Sequence, residues 1–521
     1  MKKVLFFLVL VIACKKDNKV YDDPYAGGKK PLGVTMSTDL PTPSESTPGV
    51  TILFKGKGLL AHKDSIHFNF NGQPGEIISI DSTGVQVKVP ETASTGVTSV
   101  TIGDQIFFGP VFRVKGNLEI DNNFKVAIGA NNSIYDVHRF SDGRLLLIGQ
   151  FSDYEHKGVV KPINRIVMTS KDGEMDRTLL SGRGADGALV SLAALPSGKL
   201  AVGGAFSSYD IHLAEMHNIT VLNSNGSIDS VTVNTFTKKD TVPAFNGGTD
   251  GTIFKVFVHD NKITAFGGFN YYLQYVYGVS DWLQERDSLV TDSVLVRQMI
   301  RFHPDGSLDS TFNYDLARHR SYDGPNGPVA DAYMQPDGKI IIVGRFTRYN
   351  GVPAPYIARI NTDGSLDPGF GGAGANDAIY SIRYNETTQK YMLAGAFTQF
   401  DGVAHYGLAM LKADGVTDEQ FASLKMKPGE GFYCAQQLSN GLIVVAGYFN
   451  NYGDVHRSGL MVLDNKGVLA PGYNNTGDLK GSVLKIFETV NSSGQTQALL
   501  LGSMWQFNQI DIGNITRLLF K

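Results

Sequence analysis

The segment from Asn270 to Asp292 concentrates side chains whose chemistry suits contact with a ligand. It contains four tyrosines and one of the two tryptophans of the chain: Tyr271, Tyr272, Tyr275, Tyr277 and Trp282. Planar aromatic rings stack on the faces of sugars and anchor protein partners, so we predict that this segment contacts a ligand. The alternative interpretation is a hairpin extension that packs its own rings over a neighbouring part of the fold.

Two other loops carry unusual side chains of a similar kind. The second tryptophan is Trp505, and a polar insertion at 314–328 holds His319 and Tyr322. Loops on a rigid scaffold are where binding residues concentrate. If successive strands run antiparallel, the segments 270–292 and 314–328 open on the same face, and we expect them to border one site.

The sequence contains few residues in patterns that are typical of catalytic sites. Asp281, Glu285 and Asp287 lie in the first segment; paired carboxylates do serve glycosidases, but acids in a polar loop are usually solvated surface. The sequence has no zinc-protease helix motif, nucleophile elbow, phosphate loop or EF-hand loop. His62 and His67 lie too far from other ligands to suggest a metal site. We therefore expect a protein that is not an enzyme and that uses no cofactor or metal ion.

A repeat supplies the elements that must position these loops. The pattern Gly-x-Phe, with a second aromatic residue three positions after the Phe, recurs along the chain at intervals of 51 to 77 residues. Its third positions are Phe151, Phe206, Phe269, Phe346, Phe397, Phe449 and Met504. Self-similarity on this scale indicates a repeat architecture. An aromatic residue present in every repeat serves what every repeat needs, which is burial, so we expect this column to pack between units.

Each repeat has the same internal order of four short strands joined by turns. The fourth repeat shows it most clearly, with a turn at 336–339, a strongly apolar strand at 340–344, a third strand at 357–360 and a Leu-Asp-x-x-Phe phrase at 366–370. Four-stranded units that repeat radially are propeller blades. The recurrent Asp of the last phrase is expected to cap a tight turn.

The chain stops after the third strand of the last repeat, and the missing fourth strand occurs at the front. The phrase Glu-Ile-Asp-Asn-Asn-Phe at 119–124 has the spacing of the outer-strand element that follows the other repeats. We therefore predict that residues 117–124 form the outer strand of the last unit and close a ring, which removes exposed sheet edges. The alternative, an open solenoid, usually needs distinct capping repeats.

These repeats resemble a known family of propellers. The phrases that are similar to delta-60-type propeller repeats are Pro336–Ile340, Val343–Phe346, Ala358–Asn361 and Asp363–Asp367. The resemblance covers about residues 117–521 and implies a β-propeller. The seven recurrences of the Gly-x-Phe pattern, with the strand at 117–124, predict seven blades, and we place this propeller at residues 115–521. The resemblance is strongest in the fourth repeat and weakest in the seventh, where Met504 replaces Phe.

A strand-rich block at residues 32–114 precedes the repeats. Its seven short strands are typical of a small β-sandwich. The features that are similar to an IPT/TIG immunoglobulin-like domain are Pro48-Gly49 before a strand, Gly56-x-Gly58, a strand ending at Pro90 and Thr95-Gly96 before a Val/Thr strand. The resemblance implies a spacer or binding module. The predicted fold class is therefore all-β, an immunoglobulin-like sandwich followed by a seven-bladed propeller.

The start of the chain has the charge and hydropathy pattern of an export segment. Two lysines precede a short apolar run that ends at Ala13 and Cys14. This run is too short to span a bilayer and has the form of a signal peptide. The ending is similar to a lipobox, which implies a signal peptide at 1–13, lipidation of Cys14 and a tether at 14–31. The charged residues that follow are similar to Bacteroidota-type surface-export signals, so we expect a surface-exposed protein anchored in the outer membrane.

The net charge and cysteine content of the chain narrow the range of possible binding partners. A net charge of −3 gives no reason to expect nucleic acid, and Cys434 is expected to be a buried small hydrophobe. The favoured hypothesis is a non-enzymatic surface lipoprotein that binds a polysaccharide through loops on the propeller face. The alternatives are a lipoprotein that docks an outer-membrane partner and a propeller hydrolase or lyase that acts on glycans, because a fold alone does not decide function.

Overall fold

The computed structural model describes residues 31–158 and 162–521. The predicted signal peptide, Cys14 and the tether up to residue 30 lie outside the described residues. Within them the chain is all-β, and its one helix is the short 3-10 helix Leu59–His62. No helix in these two ranges has the length and apolar character that a membrane crossing requires.

Eight strands near the N-terminus form one sheet around a core of phenylalanines. The strands are β1 (Thr35–Met36), β2 (Glu45–Ser46), β3 (Thr51–Lys57), β4 (Ile66–Phe70), β5 (Gln73–Ile80), β6 (Gly84–Lys88), β7 (Gly96–Ile102) and β8 (Gln105–Val114). Their order is β1-β3-β6-β5-β4-β7-β8-β2, and β2 pairs in parallel with β8. Phe54, Phe68, Phe70 and Phe112 pack inside with ring centroids 4.7–5.6 Å apart.

The rest of the described chain is a series of short strands. In chain order they are β9 (Leu118–Ile120), β10 (Ile134–Arg139), β11 (Leu145–Gly149), β12 (Ile166–Thr169), β13 (Met175–Asp176), β14 (Ala188–Ala194), β15 (Leu200–Ala205), β16 (Ile219–Leu222), β17 (Ser230–Asn234), β18 (Lys239–Pro243), β19 (Gly248–Thr249), β20 (Ile253–His259), β21 (Lys262–Gly267), β22 (Tyr271–Val276), β23 (Val290–Leu295), β24 (Met299–Phe302), β25 (Tyr314–Asp315), β26 (Arg320–Ser321), β27 (Val329–Met334), β28 (Ile340–Gly344), β29 (Arg348–Tyr349), β30 (Val352–Pro353), β31 (Ile357–Ile360), β32 (Ile379–Asn385), β33 (Lys390–Gly395), β34 (Gln399–Phe400), β35 (Val403–Ala404), β36 (Leu408–Leu411), β37 (Gly431–Gln437), β38 (Ile443–Tyr448), β39 (Asn451–Tyr452), β40 (Val455–His456), β41 (Leu460–Leu463), β42 (Leu479–Val490), β43 (Thr496–Phe507), β44 (Ile510–Asp511) and β45 (Ile515–Phe520).

Seven antiparallel sheets in this part of the chain share one plan. Their inner, second and third strands are β10-β11-β12, β14-β15-β16, β20-β21-β24, β27-β28-β31, β32-β33-β36, β37-β38-β41 and β42-β43-β45. At the outer edge the first sheet has β13 and the last has β9. In the other five a single bridge holds this place, as between Phe302 and Leu308.

The inner strands stand side by side in a closed cycle. Each packs against the inner strand of the next sheet, and β42 of the last sheet packs against β10 of the first. Leu499 and Leu501 of the last sheet share one apolar cluster with Leu145 and Leu147 of the first. The core therefore lies between the faces of neighbouring sheets, and the sheets surround a central channel.

The packing explains why each repeat keeps its glycine. In all seven repeats a Cβ on this residue would lie 2.0–2.3 Å from a carbonyl oxygen at the start of the inner strand. The third-position residues and the second aromatic residues are all at most 4% exposed. Where the second aromatic is tyrosine, as in Tyr349, its hydroxyl donates to the glycine carbonyl of the outer turn, here Gly364 O at 2.5 Å. The prediction that this column packs between units is confirmed.

Where the outer phrase carries the recurrent Asp, as at Asp367, this residue holds a turn and an ion pair together. Asp367 Oδ1 accepts from the backbone N–H of Gly369 at 2.8 Å, while Oδ2 receives Lys339 Nζ and Arg359 Nε at 2.8 Å each. Burial alone would raise the pKa of Asp367, but the hydrogen bonds from Lys339, Gly369 and Arg359 lower it to about 2. The carboxylate thus does more than cap the turn, because it ties the outer phrase to the second and third strands.

The strand that the sequence placed at the outer edge of the last sheet is found there. β9 pairs with β45 through Leu118–Phe520, Glu119–Leu519 and Ile120–Leu518. Just beyond it, Asp121 receives the Nε of Arg517 at 2.7 Å. The two ends of the repeat region therefore complete one sheet.

The N-terminal sheet rests on the last two sheets of the ring. Asn71 Nδ2 donates to Asp478 Oδ1 at 3.0 Å, and Arg457 Nη2 donates to Thr92 O at 3.1 Å. Arg457 is only 4% exposed, and this burial lowers its pKa to about 10. Because buried polar groups are costly unless they are satisfied, these contacts hold the block in one position.

Candidate functional site

Each of the seven inner strands carries a β-bulge at the same position, near one end of the channel. The residues at the bulges are Tyr135, Val190, Phe254, Ala330, Tyr380, Tyr433 and Leu484. A bulge leaves one residue outside the ladder and re-aims its side chain. Phe254 is 43% exposed and Tyr433 is 44% exposed. We call this ring of seven bulge residues the aromatic mouth.

The variable middle residue of Gly-x-Phe lies beside the aromatic mouth. Gln150 Oε1 accepts from the hydroxyl of Tyr135 at 2.9 Å, and the guanidinium carbon of Arg345 lies 5.9 Å from the ring centroid of Tyr380. Tyr448, in the sixth repeat, is 64% exposed. The repeats thus hold Gly and Phe constant for packing and vary the residue that borders the channel.

One residue further along each inner strand, seven side chains form a layer across the channel. We call this the channel layer: Asp136, Ser191, Lys255, Asp331, Ser381, Cys434 and Lys485. The Nζ of Lys255 lies 2.9 Å from Asp331 Oδ1. Arg383, two residues beyond Ser381, also pairs with Asp331, and Lys485 pairs with Asp136. The centre of the ring is therefore charged, whereas the clusters between neighbouring sheets are apolar.

Burial and neighbouring charges shift the pKa values of the side chains in this layer, in some cases in opposite directions. Burial would raise the pKa of Asp331, but Arg383 and Lys255 overcome it and hold that pKa well below its usual range. Burial lowers the pKa of Lys255 from its usual value. It also raises the pKa of the Cys434 thiol, so this buried cysteine stays a neutral thiol, as the sequence predicted for a small buried hydrophobe.

The channel widens on each side of the channel layer. A space of about 280 Å³ lies on the side of the aromatic mouth. On the other side a cavity of about 850 Å³ is lined by the far ends of the inner strands and the hairpins that follow them. A volume of this size is within the usual range of small-molecule sites.

Two of the tyrosines predicted to contact a ligand are interior residues. Tyr272 belongs to the buried aromatic column, and its hydroxyl donates to Gly306 O at 3.2 Å. Tyr275 is 8% exposed, stacks on His217 with ring centroids 4.7 Å apart and donates to Ala214 O at 2.9 Å. Neither presents a free ring face, so packing rather than ligand contact accounts for both.

The other aromatic residues of the insertion lie nearer its surface. The segment forms the hairpin β22–β23. Tyr271 is 44% exposed and Trp282, at the hairpin tip, is 89% exposed. Tyr277 is partly buried, 6.4 Å from the ring centroid of Tyr275. The insertion therefore packs its own rings at its base, as the alternative interpretation describes, and exposes its tip. Contact of the tip with a ligand stays a prediction.

The carboxylates of the insertion hold loops in place. Asp281 Oδ1 accepts from the backbone N–H of Glu285 at 2.9 Å. Asp287 accepts from the backbone N–H groups of Phe236 at 2.5 Å and Thr237 at 3.1 Å, at the tip of the β17–β18 hairpin. These bonds join the extensions of the second and third sheets.

The insertion and the segment 314–328 are neighbours, because β23 of the insertion contacts β26. Just after β23, Arg297 Nη1 lies 2.5 Å from Asp323 Oδ1, and Gln298 Nε2 donates to Pro325 O at 3.3 Å. That the two segments border one binding site stays a prediction. His319 is exposed, and Tyr322 is 49% exposed. Both segments lie on the face of the aromatic mouth, because the second strand of an antiparallel pair returns to the end where the inner strand began.

Trp505 lies in another part of the ring. It is 61% exposed and sits at a register shift between β42 and β43 of the last sheet. The first and second sheets separate it from the third sheet, which bears Trp282. The predicted site residues therefore do not form one cluster. Within residues 31–158 and 162–521, no three His, Cys, Asp or Glu side chains are placed to hold a metal ion.

The aromatic mouth and the channel layer are the functional candidates that sequence reasoning missed. The signal that could have found them appears when the apolar segments that open the repeats are aligned with one another. Ile134-Tyr135-Asp136, Ile253-Phe254-Lys255 and Ile379-Tyr380-Ser381 place first an aromatic and then a polar or charged residue after a buried isoleucine. Positions that face the channel in every repeat but differ in chemistry are where a ligand would be distinguished.

Two protein-family models match parts of the chain. A domain of unknown function described as a β-propeller, DUF5122, matches residues 287–312 and 335–370. A second domain of unknown function, DUF5008, matches residues 9–110. The first match and the ring of small antiparallel sheets make the chain an all-β repeat protein of the β-propeller class. No curated protein matches it.

Several solved structures are similar over much of their length. The WD40 β-propeller domain of Doa1 has a TM-score of 0.43 and 13% identity, with 78% of this chain and 97% of that chain covered. YCF48 from Cyanidioschyzon merolae has a TM-score of 0.36 and 12% identity, with 78% and 98% covered. An auxiliary nutrient binding protein from Bacteroides thetaiotaomicron has a TM-score of 0.29 and 12% identity, with 94% and 99% covered.

Proposed function

We propose that this chain is a non-enzymatic, lipid-anchored surface protein that binds an extracellular polysaccharide at the aromatic mouth of its propeller. The observation that carries the proposal is the set of rings that the bulges expose around one opening, with Phe254 at 43% and Tyr433 at 44% exposure. Soluble proteins normally bury such rings, so a group of them around a concavity marks a binding surface.

The chemistry of the aromatic mouth suits a sugar. Aromatic rings offer flat apolar faces to the C–H faces of a pyranose ring. Arg345 and Gln150, held beside Tyr380 and Tyr135, offer polar groups at the rim. A few polar groups among apolar walls are the usual composition of a ligand site.

The architecture that we propose has three parts. Lipidated Cys14 and the tether 14–31 hold the protein at the outer membrane, an IPT/TIG-like sandwich at 32–114 acts as a spacer, and a seven-bladed propeller at 115–521 presents the mouth. The seven inner strands in a closed cycle and the pairing of β9 with β45 support the propeller. The hydrogen bonds of Asn71 and Arg457 support a spacer that is fixed to the ring.

A glycan array tests the proposed function. The full chain, purified in detergent, is expected to be retained on a subset of polysaccharides, and the double variant Phe254→Ala/Tyr433→Ala is expected to lose that retention. Trp282→Ala is the matched control, because it removes a more exposed ring from a different part of the same face. No retention of the wild-type chain on any glycan would argue against the proposal.

A second candidate function, docking of an outer-membrane protein, is favoured by the tip of the insertion. Trp282, Leu283 and Leu289 are 89%, 51% and 70% exposed. Exposed apolar clusters mark protein interfaces. Crosslinking in cells through residue 282 is expected to capture one dominant partner if this function holds, and a protein that stays uncrosslinked would count against it.

A further inference from the structure

The 850 Å³ cavity lies across the channel layer from the aromatic mouth and has a floor of unbalanced charge. Lys255, Arg383 and Lys485 face Asp136 and Asp331, so three cations meet two carboxylates and one positive charge is left over. No part of the proposed polysaccharide site uses this surplus charge.

The accessible charge of this floor is positive. The carboxylates are 9% exposed, whereas the side chains of Lys255, Arg383 and Lys485 are 27%, 19% and 29% exposed to the channel. Asp331 also accepts from the backbone N–H of Ile382 at 3.2 Å, and Asp136 from that of Leu192 at 3.1 Å. The carboxylates are therefore satisfied within the protein, and the cations are the groups that a ligand would meet.

A surplus charge in a confined channel is partly desolvated, so an opposite charge that pairs with it is favourable. An ion removed from bulk water loses hydration, and it regains stability only by pairing with an opposite charge. A ligand in the cavity that carries one negative charge would neutralise the surplus charge of this layer.

The walls of the cavity select among anions. Phe257, Tyr333 and Phe487 line it together with the amides of Asn385 and Gln436, which suits an organic skeleton with polar substituents. At the rim, Glu386 is exposed and Glu488 accepts from the N–H of Ser439 at 2.9 Å. These two acids would repel a polyanion on its way in.

We infer that the cavity is a second binding site, which takes a small organic molecule bearing a single carboxylate. The carboxylate would reach the floor between Lys255 and Arg383, and the rest of the molecule would lie against the aromatic wall. A guanidinium beside an ammonium is well suited to a carboxylate. The same three cations also line the 280 Å³ space on the side of the aromatic mouth, but the cavity and its aromatic wall lie on the opposite side of the channel layer. The inference does not depend on polysaccharide binding at the mouth.

The test is thermal unfolding of the full chain with sodium glucuronate, compared with glucose and with sodium chloride at equal ionic strength. A ligand that binds only the folded state raises the melting temperature, so glucuronate is expected to raise it and glucose is not. Acetate separates two sources of the carboxylate. An equal shift with acetate assigns a free organic acid, and a shift with glucuronate alone assigns an acidic sugar.

Lys255→Met gives the sharpest variant, because it removes the surplus charge and leaves Asp331 paired with Arg383. We expect at least about tenfold weaker glucuronate binding by calorimetry and an unchanged cooperative unfolding transition. Lys199→Met is the control; it also removes one cation, from a pair with Asp229 outside the cavity, and should keep full affinity. No shift with any carboxylate, or equal affinity in Lys255→Met, would overturn the inference whatever the glycan array shows.

Discussion

Removal of the Asp121 carboxylate should weaken the closure of the ring. Asp121 lies just after β9, and its side chain is 1% exposed. Its Oδ2 receives Gln497 Nε2 at 2.5 Å and Arg517 Nε at 2.7 Å, while Oδ1 accepts from the N–H of Asn123 at 2.9 Å. In Asp121→Ala these three donors lose their acceptor at once.

The expected cost follows from the guanidinium left behind. The side chain of Arg517 is 7% exposed and retains Asp172, at 3.0 Å, as its remaining ion-pair partner. Breaking one side of a buried ion pair costs about 3–5 kcal/mol when the other charge is left buried and uncompensated. Because Arg517 keeps Asp172 as a partner, we expect Asp121→Ala to lower the free energy of unfolding of the ring by about 3 kcal/mol, the lower end of that range.

Glu119→Ala is the matched control, because Glu119 makes the other ion pair of this segment. Its partner is Lys521 Nζ at 2.7 Å, and the two side chains are 45% and 46% exposed. Such surface pairs contribute about 0–1 kcal/mol. Urea unfolding gives the comparison, and hydrogen exchange of the β45 amides reports the closing sheet directly. Equal costs for the two variants, with unchanged protection of β45, would refute the closure argument.

Two further predictions concern the repeat scaffold. Gly344→Ala should destabilise the protein by about 1–3 kcal/mol in urea unfolding, because its Cβ would lie 2.1 Å from Pro328 O. Gly431→Ala, where no atom lies within 4 Å of the added Cβ, should be near neutral, and an equal loss in both variants would contradict the steric explanation. Asp367→Asn should lower the free energy of unfolding by about 2 kcal/mol at neutral pH. The reason is that the pKa of the Asp367 carboxyl is lowered from 3.8 to about 2 in the folded protein, so its ionised form stabilises the fold above pH 4. That contribution is lost as pH falls from about 4 towards 2. The difference in unfolding free energy between the wild type and Asp367→Asn, measured by acid titration, should therefore shrink over this range. A difference independent of pH would exclude the ion-pair explanation.

The scaffold was largely predictable because its constraints repeat. Every unit needs a glycine where a Cβ would strike a carbonyl and an aromatic ring between sheets, so these residues recur at a readable spacing. The outer strand β9 was also predictable, since Glu119–Phe124 keeps the phrase found after the other repeats. These features depend on local spacing, which a sequence displays directly.

The candidate site was harder to predict, because the pairing of strands and the position of bulges, rather than the composition of a segment, decide which aromatic ring is exposed. Tyr272, Tyr275 and Trp282 lie in one segment of the sequence, yet Tyr272 belongs to the buried column, His217 covers Tyr275 and only Trp282 is exposed. Tyr433 sits in an apolar strand and looks like a core residue, but a bulge turns it towards the channel. A bulge leaves no period in the sequence, so it appears only when the repeats are aligned.

The most direct test of the central claim is where a polysaccharide binds. For a glycan retained by the wild-type chain, calorimetry should show at least about tenfold weaker binding to Phe254→Ala/Tyr433→Ala and unchanged binding to Trp282→Ala. Unchanged affinity in the double variant, with loss in Trp282→Ala, would contradict the account and place the ligand on the insertion.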